Sequence, residues 1–225
     1  MSQLLTLIGK DLHCELRSKE TLGLHLTLAL LFAALASFGV FSALLSPREI
    51  SSIFPLLIWL IFLFCATSSI SRSFEYEMSQ HAIEGLLLSA VPAWVIFLSK
   101  VLVNTTIGFI GHMLAATALV LFFNLSVSEI ILPFLLLSLA VILAYSSLAT
   151  LLAFVSMHSR MRGMLLPLIL LPLMFPLLFA AVELTAELLQ SGRIDLSSGW
   201  VSLLLVFDGI YLVLGLNLFE HVVTE

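Results

Sequence analysis

Six apolar runs, each near the length of helix that crosses a bilayer, take up most of this chain. They extend from Leu22 to Leu45, Ile53 to Ile70, Val101 to Phe123, Ile130 to Val155, Met164 to Leu184 and Trp200 to Phe219, with the segment from Leu86 to Leu98 either extending the third span or lying in the interface. Roughly 20 helical residues span the hydrocarbon, and only helices or closed barrels satisfy their backbone groups inside it. The runs are continuous rather than alternating, which selects helices. Composition agrees, since 61% of the 225 residues are hydrophobic and 10% are charged, too few charges to solvate the surface of a water-soluble domain. The expected fold class is an all-α integral membrane protein of six transmembrane helices. No loop is large enough to fold alone, so residues 1–225 are read as a single membrane domain.

The few basic residues orient the helices. Lys10, Arg17, Lys19, Arg72, Lys100, Arg160 and Arg162 fall on one side of the six-span arrangement, and only Arg48 and Arg193 fall on the other. The positive-inside rule then places both termini in the cytosol. A net charge of −5 with no basic patch argues against nucleic acid as a partner. Cys14 and Cys65 form neither a disulfide framework nor a metal-spaced pair. No cleaved leader is expected, because the amino-terminal segment carries acids and the apolar run continues past Ala34, Leu35 and Ala36.

Two segments outside the spans are amphipathic. In residues 1–20, Leu4, Leu5, Ile8, Leu12 and Leu16 recur at spacings of one, three or four, as in a helix lying on the cytosolic leaflet. This helix reads as a topological anchor or, alternatively, as a partner surface. Between spans two and three, residues 71–90 place Phe74, Met78, Ala82, Leu86 and Ala90 at intervals of four, with Ile83 and Leu87 alongside. Such a ridge fits a groove on a soluble protein, or else caps the bundle at the headgroups. The acids Glu75, Glu77 and Glu84 favour protein, because an anionic inner leaflet repels them.

Polar residues inside spans are costly, about 2.5–3.5 kcal/mol for a charged side chain at the membrane centre, and so invite a functional reading. His112 sits in the third span beside a face of small residues, Asn104, Gly108, Gly111 and Ala115. It reads as a hydrogen-bonded packing residue, with ligation of haem or a proton as the alternative. Asp208, mid-way along the sixth span, has no basic residue in any span to pair with, and Tyr145, Ser146 and His112 are its candidate partners. Glu183 and Glu187 form an acidic pair at a span end with no second group to position a substrate. Pro167, Pro172 and Pro176 fall within one span and are expected to kink or partly unwind it. No paired catalytic groups occur at a suitable spacing, so the chain is not expected to be an enzyme.

Two blocks carry a family resemblance. The first runs from Trp59 to Lys100, with the acidic cluster, then Ile83, Glu84, Gly85, Leu86, Leu87, Leu88 and Ser89, then Pro92. The second runs from Ser159 to Pro176, a basic loop followed by a proline-rich span. Together with the length and the amphipathic amino terminus, they resemble the CcmB family, haem exporter B proteins of the bacterial inner membrane. The resemblance implies an ABC-2-like permease subunit for cytochrome c maturation. It implies a separate CcmA-like ATPase, CcmC-like and CcmD-like membrane proteins, a CcmE-like haem chaperone and a homodimer. The sequence contains no G-x-x-x-x-G-K-[ST] phosphate loop, so ATP belongs on the partner chain. Haem likewise belongs on partner subunits, for no C-x-x-C-H site or tryptophan-rich external segment is present. In this reading Phe74, Glu75, Glu77, Met78, Ile83, Glu84, Gly85, Leu86 and Leu87 form the ATPase-coupling helix. The runner-up readings are an exporter permease for another hydrophobic substrate and a non-catalytic scaffold.

Overall fold

The computed structural model describes residues 2–18, 20–79, 91–125, 127–156 and 162–224. Seven helices account for nearly all of them: α1 (Ser2–Ser18), α2 (Glu20–Ser42), α3 (Pro47–Ser79), α4 (Ala93–Phe123), α5 (Ile131–Ser156), α6 (Arg162–Ser191) and α7 (Gly199–Thr224). No strand occurs among the described residues. Five of these helices carry stretches long and apolar enough to cross a membrane, namely Arg48–Phe74, Ala93–Phe123, Ile131–Ser156, Leu166–Ser191 and Gly199–Glu220. The apolar part of α2, Leu26–Ser42, is shorter. Trp94 and Trp200 lie exposed at opposite ends of the bundle, the positions that amphipathic rings take at the two headgroup levels.

The six helices after α1 form two groups of three. One is α2, α3 and α4; the other is α5, α6 and α7; α3 and α4 supply the contacts that join them. Between the groups lies a core of fully buried large side chains that includes Trp59, Phe62, Phe97, Ile142, Phe154 and Phe219. Exposed Leu205, Val206, Ile210, Val213 and Leu214 mark the outer face of α7, as hydrocarbon-facing surface requires.

Short polar devices end the helices. At the start of α3 the Ser46 backbone N–H donates to Glu49 Oε2 at 2.8 Å and the Glu49 N–H donates back to Ser46 Oγ at 3.4 Å, a capping box. Asn124 closes α4 in a left-handed conformation, φ 51°, with its N–H donating to the Leu121 carbonyl and the Leu125 N–H donating to that of Val120. After α6, Glu187 Oε1 accepts from the Asp195 N–H at 2.8 Å, so this acid holds the turn into α7. The Ser197 hydroxyl and N–H both donate to Asp195 Oδ1, which holds that carboxyl below its ordinary value.

Three expectations about element boundaries change. Residues 71–79 continue α3 without a break rather than opening a separate helix, since no glycine or proline interrupts that stretch. Span three begins at Ala93, directly after Pro92, whose fixed φ of −59° sets up the first turn. Lys100, read from sequence as a loop residue, therefore lies inside α4 and is buried. Finally, α6 runs as one helix through Pro167, Pro172 and Pro176, without the unwinding expected. Each proline removes one backbone bond and the neighbouring bonds persist. The Tyr211 hydroxyl on α7 donates to the Leu173 carbonyl within this stretch and ties the two helices together.

Gly215 is needed for close packing of α7 on α4. A Cβ at this position would lie 2.1 Å from Phe97 Cζ, and the Phe97 ring is fully buried against Phe219 at a centroid distance of 5.4 Å. Gly215→Ala is expected to destabilise the protein by about 1–3 kcal/mol, the usual cost of an overpacked core. A lowered thermal midpoint in detergent, partly recovered by adding Phe97→Leu, checks this.

Candidate functional site

The small-residue face of α4 lets three helices approach one another. A Cβ on Gly108 would meet Ile142 Cγ2 of α5 at 3.3 Å and Phe62 Cε2 of α3 at 3.9 Å. One turn on, His112 is fully buried among rings. Trp59 of α3 stacks on it at 4.7 Å and Phe134 of α5 at 5.8 Å, with interplanar angles of 24° and 26°. Phe62 meets it edge-on at 5.3 Å. Trp59 Nε1 in turn donates to Thr185 Oγ1 of α6 at 2.9 Å. The imidazole is thus one layer of a contact between four helices. Both Trp59 and Phe134 stack on it, so it packs as an aromatic ring would. Gly111 and Ala115 are buried on the same helix.

Asn104 lies nearer the other end of this face. Its Nδ2 donates to Thr150 Oγ1 of α5 at 3.0 Å, and the Tyr145 hydroxyl of α5 donates to Thr67 Oγ1 of α3 at 3.3 Å. Between these pairs lies a cavity of about 20 Å³, lined by Glu15, Ser69, Ser73, Asn104, Gly108 and Tyr145 among others. That is room for one water molecule with several polar partners. Asp208 is half-buried on α7, which packs against the α5 helix that carries Tyr145 and Ser146.

The segment between spans two and three is rooted in an aromatic cluster. Phe74 is 6% exposed and meets Phe154 of α5 edge-to-face at 5.0 Å. Phe154 meets Phe219 of α7 at 4.5 Å, and Phe219 meets Phe97 of α4 at 5.4 Å. Phe74 was grouped by spacing with the docking ridge; buried here, it fastens the segment to the bundle instead. Glu75, Glu77 and Met78 continue the α3 backbone. Ile83, Glu84, Gly85, Leu86 and Leu87 lie outside the described residues.

Sequence reasoning missed the polar contacts of α1. Lys100 Nζ pairs with Asp11 Oδ2 at 2.9 Å, and both side chains are over nine-tenths buried. The Ser73 hydroxyl donates to the Glu15 carboxylate. A legible signal existed: Asp11 stands three residues after Ile8 and next to Leu12, inside the apolar stripe. Leu4, Leu7, Ile8 and Leu12 are half-buried, with α1 packed against α4 and α2.

Comparison with curated proteins finds no match to this chain. A family model described as CcmB protein matches residues 2–222, nearly the whole sequence. With its bundle of long apolar helices, the chain belongs to the CcmB family, membrane transporter components of haem export and cytochrome c maturation.

Proposed function

We propose that this chain is the permease subunit of an ABC-type complex of the bacterial inner membrane. It would couple a CcmA-like ATPase to haem export, or to release of a haem-loaded CcmE-like chaperone, beside CcmC-like and CcmD-like proteins. The carrying observation is the family match over residues 2–222 joined to the rooting of the 71–90 segment. A helix that leaves the membrane from a cluster touching α4, α5 and α7 passes any push on itself to those spans.

An ABC-2-like layout of six spans adds α2 to the five long apolar helices. Its 23 residues rise about 35 Å, enough for a hydrocarbon core of roughly 30 Å. An even number of spans brings both termini to one side, and the excess of Lys and Arg assigns that side to the cytosol. The sequence holds no phosphate loop, so ATP binds the partner chain. Two ATPase subunits call for two permease copies, hence a homodimer. Haem is cargo here, held by partner subunits, because the sequence carries no C-x-x-C-H site or tryptophan-rich external segment.

Two outcomes follow. Reversing Glu75, Glu77 and Glu84 to lysine is expected to lower recovery of the ATPase chain by up to about a hundredfold, since three charges at about 1 kcal/mol or less each sum to about 3 kcal/mol at most. Undiminished co-purification and ATPase stimulation would sink the docking role. His112→Phe keeps a stacked ring between Trp59 and Phe134, so cytochrome c yield is expected to stay within about twofold of wild type. A collapse of that yield at normal protein level, alongside lost haem absorbance in the purified complex, shows ligation instead.

A further inference from the structure

Asp11 and Glu15 are four residues apart and therefore share one face of α1. That face is turned into the bundle, and its two acids reach different helices. Asp11 pairs with Lys100 in the second turn of α4, and Glu15 accepts from Ser73 near the end of α3. Ser73 and Lys100 stand on either side of the segment that leaves α3 and returns at α4. One short helix thus bridges both roots of the coupling segment. The apolar contacts of α1 are half-buried leucines and an isoleucine, which give adhesion without a unique register. A buried ion pair is a poor source of stability compared with an apolar pair of the same volume, but it fixes which residue faces which. Lys10, half exposed, adds a second cation to Asp11 Oδ1 at 3.0 Å.

We infer that Asp11, Glu15, Ser73 and Lys100 are positioning residues for energy coupling. They make α1 a tie bar that compels the roots of α3 and α4 to move as one body when the segment between them is pushed. The inference rests on the reading of that segment as the ATPase docking site. The alternative is a topological anchor, which needs α1 to stay on the bundle but is indifferent to the relative motion of the two roots.

The test uses the full complex with its ATPase chain. Lys100→Met and Asp11→Asn each remove one charge at nearly constant volume, and Asp11→Lys with Lys100→Asp exchanges the pair. The single variants are expected to reach the membrane and retain the ATPase, yet to lower cytochrome c yield per ATP hydrolysed by about fivefold or more, the low end of coupling between sites. The exchanged pair is expected to recover at least half of that loss, which a general packing defect would not allow. A second arm replaces Cys14 by serine, places cysteines at 15 and 73, and joins them with a short bifunctional thiol reagent. Full activity of the cross-linked complex supports a bar that stays closed through the cycle, and abolished activity overturns it. Single variants that couple like wild type overturn it as well. Absence of the ATPase from the wild-type complex overturns the docking reading and this inference together.

Discussion

Hydrocarbon offers no hydrogen bond to a buried side chain, and this bundle meets that constraint largely with hydroxyl groups. Thr185 accepts from Trp59, Thr67 from Tyr145 and Thr150 from Asn104, each pair joining different helices. Other hydroxyls turn back on their own helix, as Ser99 does to Ile96, Ser147 to Leu143 and Ser156 to Ala153. A small group that can satisfy itself locally permits close helix approach, whereas a large polar group demands a partner in one place. The three interhelical pairs set which faces of α3, α4, α5 and α6 meet. His112 then occupies the space that those faces enclose.

From this interior the structure changes character toward the end where α3 leaves and α4 enters. The Trp59 layer gives way to the chain of phenylalanines from Phe74 to Phe97, and then to the charged contacts of α1. Polarity rises as the membrane boundary is approached. The end of α3 and the start of α4, which flank the segment proposed to take up energy input, both fall in this zone.

The spans were legible because apolar length is a one-dimensional property, readable without knowing what touches what. The small-residue face at Asn104, Gly108, Gly111 and Ala115, with His112 at its border, was legible for the same reason, since spacings of three and four already define a helix face. The extent of α3 was not, because residues 71–79 are polar enough to read as a connector and yet contain nothing that breaks a helix. Lys100 was placed outside the third span because the apolar run begins at Val101, and a lysine beside such a run reads as its boundary. Its partner Asp11 lies far away in sequence, and no periodicity links them. Gly215 was equally silent: an isolated glycine in an apolar span becomes informative only once the ring of Phe97 is found against it. Burial of Phe74 shows the opposite limit, where a correct helical spacing was attached to the wrong neighbour.

The two kinds of contact at the roots resist displacement differently, and the difference bears on how motion would pass through them. Packed rings interact by dispersion, and a radial gap of about 0.5–1 Å forfeits roughly a quarter to a half of each contact. An ion pair decays as the inverse of distance, so stretching the 2.9 Å pair of Asp11 and Lys100 by about 1 Å forfeits only about a quarter. The cluster of Phe74, Phe154, Phe219 and Phe97 is therefore the stiff element, which either moves as a unit or repacks. The ion pair is the tolerant one: it stays engaged through a small tilt that would break ring packing, so α1 keeps hold of both roots while they shift together. On the proposed reading of the segment between these roots, a push on it would be carried by the rings into α5, α7 and α4, with α1 holding the root of α4 to that of α3.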